Sequence, residues 1–238
     1  MSSAVPVPPP PPPPSQPATS FDFLRPFTYV FDDPRWLPKI LLGGVFVLAS
    51  VFLIGVFFIY GYIARLARNV INGVQFPLPE WDDLGEYFSE GVKLFVIGLI
   101  YAAPILLVFC LMIIPAAITG SSDSDTVRSI GGMTASCVWC IAFPIGLAVA
   151  VWLPGALLAA VVTGEFSAAF EFGKIWNFIR ANVGNYLLAF VVWLVARFAA
   201  SLGFLLLCVG VFFTAFWAFC VAAYAFAQVY RSSTVRFR

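Results

Sequence analysis

Histidine is absent from the 238 residues, and only 11% of them are charged. The first absence removes the commonest general base and metal ligand. The second removes the surface that a water-soluble fold needs, since an ordinary soluble domain is about 25% charged. Lys and Arg number 13 against 12 Asp and Glu, a net charge of +1, so the chain lacks the basic field that draws in nucleic acid. Cysteine is scarce as well: Cys110, Cys137, Cys140, Cys208 and Cys220 all lie in apolar stretches, an odd number that makes no disulfide framework. Cys137 and Cys140 form C-V-W-C, but without His or a second C-x-x-C no tetrahedral metal site can be completed, and the five read as small apolar packing residues. No glycine-rich phosphate loop and no nucleophile beside a base is visible, which leaves no catalytic residue and no cofactor to assign.

What the chain has is apolar length, with 61% hydrophobic residues. The runs fall at about 40–64, 94–119, 133–162, 186–207 and 210–230, the last two split by a turn near Cys208, Val209 and Gly210. Unsplit, that final stretch would form a helix of about 60 Å against a hydrocarbon core of about 30 Å. The fold class is therefore all-α: a polytopic transmembrane bundle of about five spans within an integral membrane domain at 40–230. Pro104, Pro115, Pro144 and Pro154 each remove an intrahelical hydrogen bond and predict kinks.

The ends read differently. Residues 1–20 carry the tract Pro8 to Pro14 and no cleavable signal, and read as a disordered proline-rich tail or a polyproline II arm for a proline-recognition groove. In 21–39, aromatic residues alternate with Arg25, Asp32, Asp33, Arg35 and Lys39, a mixture suited to the headgroup layer. Residues 231–238 are a short basic tail.

Two segments between spans have helical periodicity. At about 79–92, Trp81, Leu84, Phe88 and Phe95 recur on one face while Asp83, Glu86 and Glu90 line another, and Pro79, Glu80, Asp82 and Asp83 suit a helix N-terminus. The acids at i and i+4, Asp82 with Glu86 and Glu86 with Glu90, are spaced to chelate a cation in principle, although a solvated polar face explains them without further assumption, and Glu90 is also placed to pair with Lys93. At about 165–182, Phe172, Ile175, Trp176 and Ile179 make an apolar stripe opposite Glu171, Lys174 and Arg180. Both read as interfacial amphipathic helices. Each half of the chain then reads span, Gly73 or Gly164, amphipathic helix, span, a weak internal repeat whose copies insert in parallel.

With five full spans, one face would carry Arg65, Arg68, Lys93, Lys174, Arg180, Arg231, Arg236 and Arg238, and the other Arg25, Arg35, Lys39 and Arg128. The positive-inside rule makes the first face, with the C-terminus, cytoplasmic. A re-entrant hairpin turning near Ser50, helped by Gly43, Gly44 and Gly55, would instead bring Arg25, Arg35 and Lys39 to the cytoplasmic face and leave only Arg128 outside.

Gly61-Tyr62 with Arg65 and Arg68, Gly73, Leu78-Pro-Glu-Trp-Asp-Asp83, Gly91, Lys93, and Tyr101 with Pro104 together resemble the prokaryotic multi-pass membrane family catalogued as domain of unknown function 4013. The resemblance covers about 26–230 and leaves out the proline tail. It implies a protein of the plasma membrane of a bacterium or archaeon and brings no activity or catalytic residue.

One charge falls inside a span. Arg197 lies near the middle of 186–207 with no intramembrane Asp or Glu to neutralise it. Such a charge costs from about 2.5 kcal/mol on insertion scales to several times that in simulation, so Arg197 either faces carbonyls or water inside the bundle or reaches an interface. The candidate functional residues are Arg197, Trp81, Asp82, Asp83 and Glu86. Of three classes, an enzyme has no visible constellation; a small-solute or lipid permease draws on the repeat, the prolines and Arg197. A non-enzymatic accessory or scaffold module draws on the amphipathic segments, the proline arm and the glycine-bearing spans, and would act through the lipid bilayer, a membrane-protein partner or self-association.

Overall fold

The computed structural model describes residues 21–120, 124–205 and 209–237. It is 84% helical, and the described residues include no strand. The helices are α1 (Arg25–Asp32), α2 (Trp36–Ala49), α3 (Ile54–Ile71), α4 (Leu84–Gly120), α5 (Asp125–Thr163), α6 (Phe172–Ala181), α7 (Val183–Ser201) and α8 (Gly210–Ser232). Five of them, α3, α4, α5, α7 and α8, contain a stretch long and apolar enough to cross a membrane.

The helices pair as three antiparallel hairpins. In the first, α2 and α3 reverse through a short 3₁₀ turn, Ser50–Phe52, and Leu53, whose φ of 65° is left-handed. Phe46 stacks on Phe58 at 4.8 Å, and a Cβ on Gly55 would overlap the Phe46 carbonyl, so only glycine lets the two helices of this turn close so tightly. The single span at 40–64 is therefore corrected to a hairpin. Its break falls where Ser50 turns its hydroxyl back onto the Phe46 carbonyl, at 2.8 Å, and where a left-handed residue ends any continuous helix.

The second hairpin joins α4 and α5, with Phe109 against Trp139 at 5.8 Å. Both helices run through their prolines, Pro104 in α4 and Pro144 and Pro154 in α5. The third joins α7 and α8, from Asn182 bonded to Ser233 at one end to Thr214 bonded to the Ala200 carbonyl near the other. Gly43 and Gly44 of α2 lie so close to Phe216 and Phe213 of α8 that a Cβ on either would overlap the ring, which brings the turns of the first and third hairpins to the same end of the bundle.

At the opposite end the polar groups gather. Arg68 Nε donates to the Val161 carbonyl at 3.0 Å, Lys39 Nζ to that of Leu78 at 3.0 Å, and the Arg231 guanidinium lies beside Gly73. The start of α2, the ends of α3, α5 and α8, and the start of α4 thus share one end. Gly73 and Gly164, which mark the two copies of the repeat, both have positive φ, 72° and 76°, and close α3 and α5.

Two further expectations are corrected. The segment at 79–92 is not a separate surface helix: residues 79–83 are non-helical, and helix begins at Leu84 and continues without a break into the apolar part of α4. Its buried positions are Tyr87, Gly91, Leu94 and Ile97, facing α3, rather than the predicted stripe, of which Leu84 and Phe88 are exposed. The segment at 165–182 divides into a 3₁₀ turn, Ser167–Phe170, and the ten-residue α6, which buries Ile175, Phe178 and Ile179 and leaves Phe172 and Trp176 exposed.

In the segment at 21–39, one face is packed and the other is exposed. α1 packs on α8, with Tyr29 buried, stacked on Tyr224 at 4.3 Å and donating to the Cys220 carbonyl at 3.2 Å. The basic tail folds back: Phe237 is buried against Phe178 and Tyr230, and Arg236 donates to the Tyr230 carbonyl at 2.7 Å. Cys220 packs in the core as expected, whereas Cys110, Cys137 and Cys140 face outward from α4 and α5. The proline tail and Cys208 lie outside the described residues.

Candidate functional site

Trp81 sits in the loop between α3 and α4, and its position explains why helix does not begin at Pro79. Held extended, the chain lays the indole on Tyr62 at 4.3 Å and Phe46 at 4.7 Å, and Nε1 donates to the Lys39 carbonyl at 3.0 Å. A helix starting at Pro79 would carry that ring away from α2 and α3. The helix begins instead behind Asp83, whose Oδ1 accepts from the Glu86 amide at 3.0 Å, an N-cap in the D-x-x-E arrangement. Tyr62 and Tyr87 fix the loop further by donating to the Pro79 and Glu80 carbonyls, at 3.1 and 2.5 Å.

Beneath Trp81 lies a cluster that sequence reasoning missed. Lys39 and Asp33 are 5% and 4% exposed, and Lys39 Nζ reaches Asp33 Oδ2 at 2.6 Å, Glu80 Oε1 at 2.8 Å and the Leu78 carbonyl. Asp33 Oδ1 also accepts from the Arg35 amide at 2.8 Å, and the Arg35 guanidinium meets Glu80 at 2.8 Å. A buried ammonium needs this full set of acceptors, because desolvating either ion alone costs several kcal/mol. The signal in the sequence was present as Lys39 between apolar neighbours and as the acid in Leu78-Pro-Glu-Trp81. Only the α2–α3 reversal brings the two together.

The acidic face of early α4 is matched by α3. Arg65 lies 3.8 Å from Asp82 and 3.5 Å from Glu86, and Arg68 pairs with Glu90, its Nη1 at 2.9 Å from Oε2. Glu90 thus pairs with Arg68 rather than Lys93. The spacing proposed for chelation is occupied by arginine, and among the described residues no group of three or more His, Cys, Asp or Glu is placed to hold a metal. Gly61 and Gly91 permit the pairing: a Cβ on Gly61 would overlap the Tyr87 carbonyl, and one on Gly91 that of Phe57.

Arg197 stands apart from all of this. It is exposed on α7, one turn before the end of that helix, with Ala196 and Ala200 turned to the core beside it. The structure joins Trp81, Asp82, Asp83 and Glu86 in one seam and leaves Arg197 elsewhere.

Of the cavities among the described residues, two lie against α3, α4 and α5. One, about 420 Å³, is bounded by α3, α5, α7 and α8 and is lined almost wholly by apolar side chains, among them Tyr60, Leu157, Phe190 and Phe226. The other, about 260 Å³, is polar and lies at the charged end between α3, α4 and α5, where Arg68, Glu86, Glu90, Lys93 and Glu165 line it.

Among known families, the one described as Protein of unknown function (DUF4013) matches residues 45–209, well over half of the chain. The matched span takes in the Trp81 loop and the polar cavity, and leaves out the buried Lys39 and the whole of α8, which supplies part of the apolar cavity's wall. No curated protein and no solved structure matches.

Proposed function

Since the chain belongs to the DUF4013 family, a family without an assigned activity, we propose that it is a non-enzymatic accessory or scaffold module of the plasma membrane, acting through a membrane-protein partner, a second copy or lipid. The observation that carries this reading is the bareness of α4. Only 11% of its most apolar stretch is covered by the rest of the chain, against 44% for α3. Large side chains such as Leu107 and Phe143, 65% and 71% exposed, project from the second hairpin. In the α3–α4 seam, by contrast, Asp82, Glu86 and Glu90 are engaged by Arg65 and Arg68.

The hairpin architecture supports one orientation. With α2 and α3 reversing, Arg25, Arg35 and Lys39 join Arg65, Arg68, Lys174, Arg180 and Arg231 on one end of the bundle, which the positive-inside rule makes cytoplasmic together with the C-terminus. The family resemblance favours a bacterial or archaeal membrane.

Photo-crosslinkers placed at Leu107 and Phe143 in the native membrane test the module reading. Adducts to a defined protein or to a second copy support it. A measurable solute flux that Arg197→Leu abolishes without loss of insertion would overturn it in favour of a permease.

A further inference from the structure

Alanines in membrane helices ordinarily let backbones pack against one another. Here Ala64 and Ala67 of α3 and Ala222 and Ala223 of α8 line the apolar cavity instead, because α5 stands off from them. The wall that α5 supplies is Ala150, Leu153, Pro154, Leu157, Leu158 and Val161, one unbroken helical stripe at i, i+3, i+4, i+7, i+8 and i+11. Two hydrogen bonds hold α5 there, near the two ends of the stripe: the Tyr186 hydroxyl donates to the Val151 carbonyl at 2.8 Å, and Arg68 Nε to the Val161 carbonyl at 3.0 Å. The space is braced open by these contacts.

Lining, opening, length and volume together narrow the occupant. No charged residue lines the cavity, and buried Leu94 with the Arg68–Val161 bond walls it off from the polar cleft, so it offers nothing to a headgroup and little to water. Ala64, Leu158 and Val161 are buried at its floor, whereas Leu153, Phe190 and Trp193 are half-buried and Ala150 is exposed. It therefore opens sideways, through the flank of the bundle. From Ala150 to Val161 the α5 wall is about 16 Å long, close to half of a hydrocarbon core of about 30 Å and so to the depth of one leaflet. An apolar cavity of about 150 Å³ stays dry and takes up one benzene, so about 420 Å³ has room for on the order of 16 carbons. We infer that this cavity binds one acyl chain of a membrane phospholipid, inserted from the side, with the headgroup left outside and unread. The inference does not rest on the module reading, which is carried by the bareness of α4.

The test is native mass spectrometry of the full chain released from nanodiscs of dipalmitoleoyl phosphatidylcholine or dipalmitoleoyl phosphatidylglycerol. One retained lipid is expected from either, at occupancies within about twofold of each other. Ala223→Trp, which fills the cavity from α8, should lower retention at least about tenfold, while Leu147→Trp, exposed on α5 and outside the lining, should leave it unchanged. A measurement on the unaltered chain stands beside the variants: from an equimolar mixture of dilauroyl and dipalmitoleoyl phosphatidylcholine, the longer chain should be retained at least about tenfold over the shorter, which leaves part of the cavity empty. No retained lipid, a tenfold preference for one headgroup, no preference for the longer chain, or retention unchanged in a folded Ala223→Trp would overturn the assignment. So would a photo-crosslinker at Phe190 that captures a protein and no lipid, which gives the cavity to a partner's helix and leaves the module reading standing.

Discussion

Replacing Lys39 with alanine removes the centre of the buried cluster and leaves Asp33, 4% exposed, with a negative charge and no cation beside it. Glu80 loses less: it is 41% exposed and keeps Arg35 at 2.8 Å. The cost is thus dominated by stranding Asp33 together with the Leu78 carbonyl, and breaking one side of a buried pair costs about 3–5 kcal/mol. For a chain of this size that corresponds to a drop in Tm on the order of 10 °C. Arg35→Ala is the control, because the Arg35 side chain is 72% exposed and an exposed pair contributes about 1 kcal/mol or less. The double substitution Lys39→Met with Asp33→Asn should recover most of the loss, since it removes both charges, keeps the bulk and preserves an acceptor for the Arg35 amide. Thermal unfolding in nanodiscs, followed by tryptophan fluorescence, measures all three. Equal shifts for Lys39→Ala and Arg35→Ala, or a double variant no better than Lys39→Ala, would refute the reasoning.

Other outcomes follow from the same contacts. Trp81→Ala should lose the stacks on Tyr62 and Phe46 and the bond to the Lys39 carbonyl, and cost about 3–5 kcal/mol in the same unfolding assay. Asp83→Ala removes the cap of α4 and should cost about 0.5–2 kcal/mol, with Asp83→Ser restoring most of it. Gly61→Val would force α3 off the Tyr87 backbone and should prevent accumulation of folded protein, read as loss of a monodisperse peak on size exclusion. Cysteines at positions 15 and 234, the latter exposed, should be labelled from the same, cytoplasmic, side and one at 122 from the other; labelling of position 15 from the side of 122 would rule out the α2–α3 reversal. Arg197→Leu should leave thermal stability within about 1 kcal/mol, because the side chain is exposed.

Composition and hydropathy decided the class of this protein without help from any contact. With so few charges there is no way to clothe a soluble core, and apolar runs about as long as a bilayer is thick leave helices as the economical way to satisfy the backbone. The start of α8 at Gly210, the outward polarity of the Asp82 and Glu86 region, and the paired glycines Gly73 and Gly164 were legible for the same reason: each is a local property of a short stretch of chain.

What was not legible is what depends on residues far apart in sequence. Hydropathy is blind to direction, so a run of apolar residues at 40–64 reads alike whether it crosses or reverses; Leu53 at positive φ and the close approach of Gly55 to Phe46 decided for reversal. Helical periodicity around Trp81 was real, but a ring that finds Tyr62, Phe46 and the Lys39 carbonyl outweighs a few residues of helix propensity. The chain alone determined that the protein lives in a membrane as a bundle of helices. Only the tertiary structure decided that its acids belong to its own arginines, that Lys39 is buried, and that Arg197 faces outward, because a charge is classified by what surrounds it rather than by its neighbours in sequence.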